Sequence, residues 1–227
     1  MKGACIIPAK GNSRRLPRKN ALPLGGRPLV CRAVDSALEA QRFEFVAVSS
    51  NDEEILTLAK AAGAEPLVRD QALCGDQVRA KDVVHAHLIA LGREFDYVAM
   101  LMPTTPLRTS AHVREAVDLF VASGRPCLAS VCEYDFHPAL ALTVEEGTVQ
   151  PYFGGVMAWE REETHRPAFH LNGAVYLASY TFFMAARTFV AADTAVYFMD
   201  RLASLDVDTP EDFRLVEMAV ALTAGEM

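Results

Sequence analysis

ACIIPAKGNSRRLPRKNALPLGGRP, residues 4 to 28, changes character in its middle, and that change decides the fold. Ala4 to Ile7 is apolar and rich in β-favouring side chains, and Pro8 lacks the N–H a ladder needs. The stretch therefore predicts a buried strand ending near Pro8. Beyond it, Lys10, Arg14, Arg15, Arg18 and Lys19 crowd five cations into a loop that also holds Gly11, Asn12 and Ser13. Glycine lets backbone approach a ligand, while guanidinium and ammonium groups neutralise charge spread over phosphate oxygens. Such a loop suits a polyphosphate. It is not a P-loop, because GxxxxGK[ST] is missing, nor a dinucleotide fingerprint, because GxGxxG is missing.

Towards the C-terminus, Leu29, Val30, Ala33, Val34, Ala37 and Leu38 recur near a 3.6-residue period, which predicts a helix from Pro28 to about Glu39. Phe45 to Ser49 reads as a second strand. Ser50-Asn51-Asp52 offers an N-cap to a helix whose face is Ile55, Leu58, Ala59 and Ala62 and which Gly63 ends. Alternation of this kind predicts an α/β fold: a mainly parallel sheet covered on both faces, with ligands outside the carboxyl ends of the strands. Further strands are expected at Leu67-Val68, Tyr97 to Met102 and Cys127 to Cys132. Helices are expected over Val83 to Leu91, from Thr109 or Ser110 to Ala122, and over Thr181 to Phe189. Alternation around Leu140 to Val149, with a turn at Glu146-Gly147, predicts a small hairpin excursion at about 135–170. Within it Glu160-Arg161-Glu162-Glu163 reads as a solvated charged face. Asn172-Gly173 predicts a turn leading into an apolar strand.

With 227 residues and 51% hydrophobic content, the chain can bury a large core, and residues 1–227 are expected to form one domain. A net charge of −7 argues against a nucleic-acid partner, which calls for a basic footprint. No apolar run is long enough to span a bilayer and the apolar region of the N-terminal stretch is too short for a secretory signal, so no membrane partner and a cytoplasmic location are expected. Cys5, Cys31, Cys74, Cys127 and Cys132 show no metal spacing and read as reduced core thiols. His85 and His87, two apart on a helix, point to different faces and read as structural.

Near the end, Ser204-Leu205-Asp206-Val207-Asp208-Thr209-Pro210-Glu211-Asp212-Phe213 places two aspartates two residues apart on an expected strand. Both carboxylates then face one side and can share a divalent cation, Mg2+ being the fit for hard oxygen ligands. Thr209, Pro210 and Asp212 make a helix start: N-cap, N1 proline and N3 acid.

Lys10-Gly11-Asn12-Ser13-Arg14-Arg15-Leu16-Pro17-Arg18-Lys19-Asn20 resembles the RxxSKxxPxKN signature of the acylneuraminate cytidylyltransferases, the CMP-sialic acid synthetase family, with Lys10 and Arg14 swapping the usual basic types. Four more segments follow in the family's order. Arg69, Leu73 and Asp76 fall on its R, L and D positions beside the nucleotide. Pro103 to Arg108 resembles its PTSPLR, with Met102 in place of a glutamine that lies by the acid sugar. His170 to Tyr176 resembles RPNGAIY, and Asp206 to Phe213 resembles DIDTPEDF.

The resemblance implies a three-layer, Rossmann-like nucleotidyltransferase domain, with CTP and an acidic nine-carbon sugar as substrates and Mg2+ as cofactor. It implies that Lys10, Arg14 and Lys19 hold the phosphates and the leaving pyrophosphate. Gly11, Ser13, Asn20, Arg69 and Asp76 would contact the nucleotide. Met102, Thr104, Thr105, Arg108, His170, Asn172, Tyr176 and Phe189 would surround the sugar, and Asp206 and Asp208 would hold the metal. It also implies a homodimer formed through the excursion. The alternatives are a cytidylyltransferase for another acidic sugar such as KDO, whose enzyme has a similar basic loop, and a catalytically silent nucleotide-binding relative.

Overall fold

A computed structural model describes residues 1–153 and 166–225. Its framework grows from the first strand, β1 (Gly3–Pro8), every residue of which is buried. Because strand side chains alternate between faces, Cys5 and Ile7 enter one apolar cluster and Ala4 and Ile6 another. The first cluster is filled by Val30, Ala33, Val34 and Ala37 of α1 (Leu29–Glu39), Ile55 and Ala59 of α2 (Glu53–Ala61), and Val113, Val117 and Phe120 of α4 (Ser110–Ser123). The second is filled by Val84 and Leu88 of α3 (Ala80–Leu91) and Phe183 of α5 (Tyr180–Ala186). Helices thus cover both faces of the sheet, the three-layer arrangement the alternation predicts.

The main sheet has seven strands, in the order β11-β7-β10-β6-β1-β4-β5. Besides β1 they are β4 (Phe45–Ser50), β5 (Glu65–Val68), β6 (Tyr97–Met100), β7 (Cys127–Glu133), β10 (Phe169–Ser179) and β11 (Ala195–Phe198). Only β10 runs against its neighbours, and the other pairings are parallel. After β5 the chain returns through α3 to β6, on the other side of β1. This reversal of direction opens a crevice at the carboxyl ends of β1 and β6. The short strands β2 (Pro23–Leu24) and β3 (Arg27–Pro28) make a small hairpin through Gly25 and Gly26, both at positive φ.

The hairpin of the excursion is present as β8 (Leu142–Glu145) and β9 (Thr148–Pro151). Glu146 and Gly147 both sit at positive φ, 50° and 79°, as a tight two-residue connection requires. Glu160-Arg161-Glu162-Glu163 lies outside the described residues.

Three local expectations need correction. Asn172-Gly173 is not a turn before a strand: both residues lie inside β10, where the register with β7 shifts between Leu171 and Tyr176 and Gly173 adopts φ 77°. This is a β-bulge, and glycine suits it for the same reason it suits a turn. The strand expected over Tyr97 to Met102 ends at Met100. Asp206 and Asp208 do not lie on a strand, since the chain before α6 (Pro210–Gly225) pairs with no ladder. Alternation nonetheless survives: Val207 is fully buried, with an aspartate on each side of it.

Candidate active site

A third apolar cluster holds the chemistry in register. Leu16 of the cationic loop, Leu24, Leu29 and Val216 of α6 close around Val207. The first loop and the aspartate loop, some 190 residues apart in sequence, therefore share one small core. Polar contacts repeat the join. Lys19 is buried, and its Nζ donates to Val207 O and to Asp208 Oδ1, both at 2.8 Å. Val207 N–H donates to Thr104 O at 2.7 Å, which ties the aspartate loop to the loop after β6.

These loops border a cleft of about 590 Å3. Lys19, Thr104, Asp206 and Asp208 line it together with Met102, His170, Asn172, Gly173 and Tyr176. One cation of the phosphate loop, both aspartates and most of the expected sugar-side residues thus share this space, while Lys10, Gly11, Ser13, Arg14, Asn20, Arg69 and Asp76 are not part of its lining.

Each cation of the first loop faces a carboxylate from another segment. Lys10 reaches Asp76 at 3.1 Å and Arg14 bonds the same carboxylate, Arg15 reaches Asp208 at 2.7 Å, and Arg18 pairs with Glu54. Asp76 is accordingly held below the usual carboxylate range, first by its bond from Lys10 and then by the Arg14 charge. For Asp208, burial works upward, but the bonds and charges of Lys19 and Arg15 outweigh it and the group ends low. Asp206 moves the other way. Desolvation raises it and the Asp208 charge adds to the rise, against a hydrogen bond from Thr104 and the charge of Lys19. Two carboxylates with hard oxygens, one raised by desolvation and then by its neighbour's charge, open on the same cleft. That donor set fits Mg2+, which takes one or two protein carboxylates alongside phosphate oxygens and water.

Gly11 is a glycine for a different reason than ligand approach. A Cβ there would come within 2.6 Å of the Asp52 Cβ, so the loop packs directly on the N-cap of α2, and Gly11 N–H donates to Asn51 Oδ1 at 3.1 Å. Ser13 is half-buried on the same loop. Asn20 is buried, with Nδ2 bonded to Lys10 O at 2.8 Å and Oδ1 without a partner. A buried acceptor left bare is costly unless something donates to it.

Several expected contact residues do not reach the cleft. Arg69 is buried beneath it, its Nε on Ser49 Oγ at 3.2 Å and its Nη2 on Ser49 O at 2.8 Å, so it braces β4 against β5. Thr105 is fully buried, with its hydroxyl directed to Asn172 O. Arg108 turns away from the cleft and bonds Met102 O and Ala174 O, each at 2.9 Å. Phe189 is a core residue, its ring 4.4 Å from Phe183 and 6.1 Å from Tyr176. Aromatic and arginine side chains near a crevice look alike in sequence whether they face it or brace it. Asn172 lines the cleft but is already engaged: Oδ1 accepts from Ser130 Oγ at 2.6 Å and from Ala174 N–H, and Nδ2 donates to Ser204 Oγ at 2.8 Å. Tyr176 is raised by burial and then by the Asp206 charge, which sets the phenol beside the carboxylate pair. Leu140 lies on the excursion rather than in the cleft. Ala80 and Ser204 also line the cleft; as small, unremarkable residues they give no signal in a single sequence.

A doubly covered, mainly parallel sheet with a cationic loop facing two carboxylates across its switch point defines a nucleotidyltransferase-type fold and site. The chain belongs to the cytidylyltransferase family, whose sequence model matches residues 4–130. It is 31% identical over 94% of its length to an N-acylneuraminate cytidylyltransferase from Streptococcus agalactiae serotype V, covering 52% of that protein. It is 29% identical to a pseudaminic acid cytidylyltransferase from Campylobacter jejuni, with 96% of each chain covered. The chain thus spans about half the length of the curated N-acylneuraminate relatives and nearly all of the pseudaminic acid one. Among solved structures, a CMP:2-keto-3-deoxy-manno-octonic acid synthetase complexed with CTP superposes with a TM-score of 0.73 over 100% of both chains at 16% identity, a likeness of fold.

Proposed function

We propose that the protein transfers CMP from CTP to the anomeric hydroxyl of a sialic-acid-like nonulosonic acid and releases pyrophosphate. The observation that carries this reading is the bond from Lys19 to Val207 and Asp208, which joins a phosphate-type loop to a carboxylate pair inside one cleft. Membership of the cytidylyltransferase family supports CTP, and relatives named for N-acylneuraminate, pseudaminic acid and N,N'-diacetyllegionaminic acid support the class of sugar.

Lys10 and Arg14 hold the outer phosphates, exchanging the Asp76 carboxylate for phosphate oxygens. Lys19, fixed at the cleft wall, neutralises charge developing on the leaving pyrophosphate. Asn20, expected beside the nucleoside, holds the phosphate loop through the bond from its Nδ2 to Lys10 O. Asp206 and Asp208 would hold Mg2+, which when bound supplies charge neutralisation at the phosphates. Thr104 orients Asp206 through its hydroxyl. On the sugar side, His170 and the remaining Nδ2 hydrogen of Asn172 offer donors to an acid, while Met102 gives an apolar wall. The protein's contribution is positioning and charge complementarity, with the anomeric hydroxyl in line with the α-phosphate.

Residues 1–227 act as one cytoplasmic domain. Its excursion at about 135–170 docks on a second copy, a reading supported by the exposed Phe136, Tyr152 and Phe153 beside the hairpin. The test is pyrophosphate release with Mg2+, crossing CTP, UTP, GTP and ATP against sialic, legionaminic and pseudaminic acids and KDO. Turnover with CTP and a nine-carbon acid is expected. Turnover with KDO alone would overturn the sugar class, and CTP binding without turnover on any acid would make the protein a silent relative.

A further inference from the structure

Beside the cleft, two cavities of about 370 and 320 Å3 share Arg32, Pro106, Arg108 and Thr109 in their walls. We propose that they form a second binding site, which takes a compact oxyanion, phosphate or carboxylate, between the guanidinium groups of Arg32 and Arg108 and the first turn of α4.

Arg108 is 4% exposed, and every partner it has is neutral: Ser36 Oγ at 3.2 Å, Met102 O and Ala174 O. Its Nη2 makes no hydrogen bond among the described residues, and Arg108 borders both cavities. No carboxylate among the described residues forms an ion pair with it. The one group whose charge bears on it is the Cys5 thiol, which burial pushes up to about 12 and which is therefore neutral at pH 7. A buried cation without a counter-charge is costly, and an anion in the adjoining space relieves that cost.

Arg32 repeats the pattern independently. Its Nε and Nη2 both donate to Leu24 O, at 3.0 and 2.9 Å, and it forms no ion pair among the described residues. The nearby Asp35 is bound by Arg27 at 2.8 and 2.6 Å, so the charge it also exerts on Arg32 is shared between two guanidinium groups. Glu39 and Asp200, also at the cavity walls, are exposed to solvent. Thr109 caps the N–H of His112, leaving the N–H groups of Ser110 and Ala111 as first-turn donors in the 14-residue α4. Arg108 also holds the carbonyl of Met102, a residue that lines the active-site cleft. An anion on Arg108 therefore sits one hydrogen bond from the sugar side of the cleft.

Isothermal titration with inorganic phosphate and, separately, with butyrate tests the site. The proteins are the wild type, a Lys10→Gln/Arg14→Gln double variant that removes phosphate-loop cations, and Arg32→Gln. One-to-one binding is expected to persist in the double variant and to weaken about tenfold or more in Arg32→Gln, the loss of a charge-assisted fork. An Arg32→Lys variant, which keeps the charge without the fork, should bind with intermediate affinity and exclude misfolding as the cause. Tighter binding of phosphate identifies a phosphorylated metabolite as the source, and tighter binding of butyrate identifies a carboxylic acid with an apolar body. Binding that disappears with Lys10 and Arg14, that is unchanged in Arg32→Gln, or that never saturates with either ion would overturn the proposal. None of these outcomes depends on the cytidylyl-transfer reading.

Discussion

Asp208 meets Lys19 on one oxygen and Arg15 on the other, so its charge organises two cations of the phosphate loop as well as serving the proposed metal. Asp208→Asn keeps the shape and removes that charge. Turnover is expected to fall by roughly 100- to 1,000-fold, the scale on which a single electrostatic group acts in a water-poor site. The midpoint of thermal unfolding should drop because buried Lys19 loses its counter-charge, while unfolding stays cooperative since Leu16 and Val207 still join the two loops. An active Asp208→Asn enzyme would remove this carboxylate from the mechanism. His87 gives a second test. Its Nε2 lies 2.7 Å from Ser49 Oγ, which also accepts from Arg69 Nε, so Arg69, Ser49 and His87 form one buried hydrogen-bonded chain. Burial, and then the Arg69 charge, lowers the imidazole from its ordinary 6.5. The unfolded chain therefore takes up this proton first as pH falls, and the folded state loses stability from about pH 6.5 down to the lowered value, then levels off. Denaturant unfolding of wild type and His87→Gln across pH 5 to 7.5 should show this part of the slope only in the wild type.

Gly173 shows what an element can conceal. Asn-Gly before an apolar run signals left-handed backbone in a sequence, and the backbone is indeed left-handed there. Hydrogen bonding on both sides of the dipeptide, however, makes the element a bulge in the middle of β10 rather than a turn. The bulge sets Asn172 against Ser130 and Ser204 at the cleft floor. A methyl group at position 173 has room, its nearest neighbour being Thr105 Oγ1 at 3.6 Å, so Gly173→Ala isolates the backbone cost. About 1–2 kcal/mol of stability should be lost in urea unfolding, and no loss would contradict the left-handed assignment. The helices were legible because each carries its own 3.6-residue stripe and some a cap as well: Asp52 caps α2 and Thr109 caps α4, as their side-chain chemistry predicts, whereas α1 has no side-chain cap. β11 carries four residues and no flanking signal of its own, and it exists because it pairs with β7. In the site, local chemistry marked Lys19, Asp206 and Asp208, which line the cleft. It could not tell that Arg69, Thr105, Arg108 and Phe189 face the framework, because that direction depends on tertiary contacts with Ser49, Asn172, Ala174 and Phe183.

At the scale of the molecule, the excursion contrasts with the rest of the surface. Phe136 is 81% exposed, Phe153 70%, Val144 69% and Tyr152 65%, and Tyr134, Phe136, Leu140, Tyr152 and Phe153 border one shared hollow. A lone exposed apolar side chain is ordinary, but a cluster of aromatic rings around a two-stranded hairpin is not. Such a hairpin has little stability of its own and gains order when its apolar face is covered. The proposed second copy of the chain would cover the cluster, a two-fold interface bringing the same patch of each copy together. Phe136→Asp and Phe153→Asp put a charge into that contact. Sedimentation velocity should show a dimer for the wild type and a monomer for either variant at the same concentration. Because the cationic loop and aspartate pair lie on the body of each chain, the monomer should keep its affinity for CTP. If the partner's hairpin closes the sugar side of the cleft, kcat/KM for the acid sugar should fall while CTP binding holds. A wild type that sediments as a monomer, or variants that remain dimeric, would show that this surface serves some other contact.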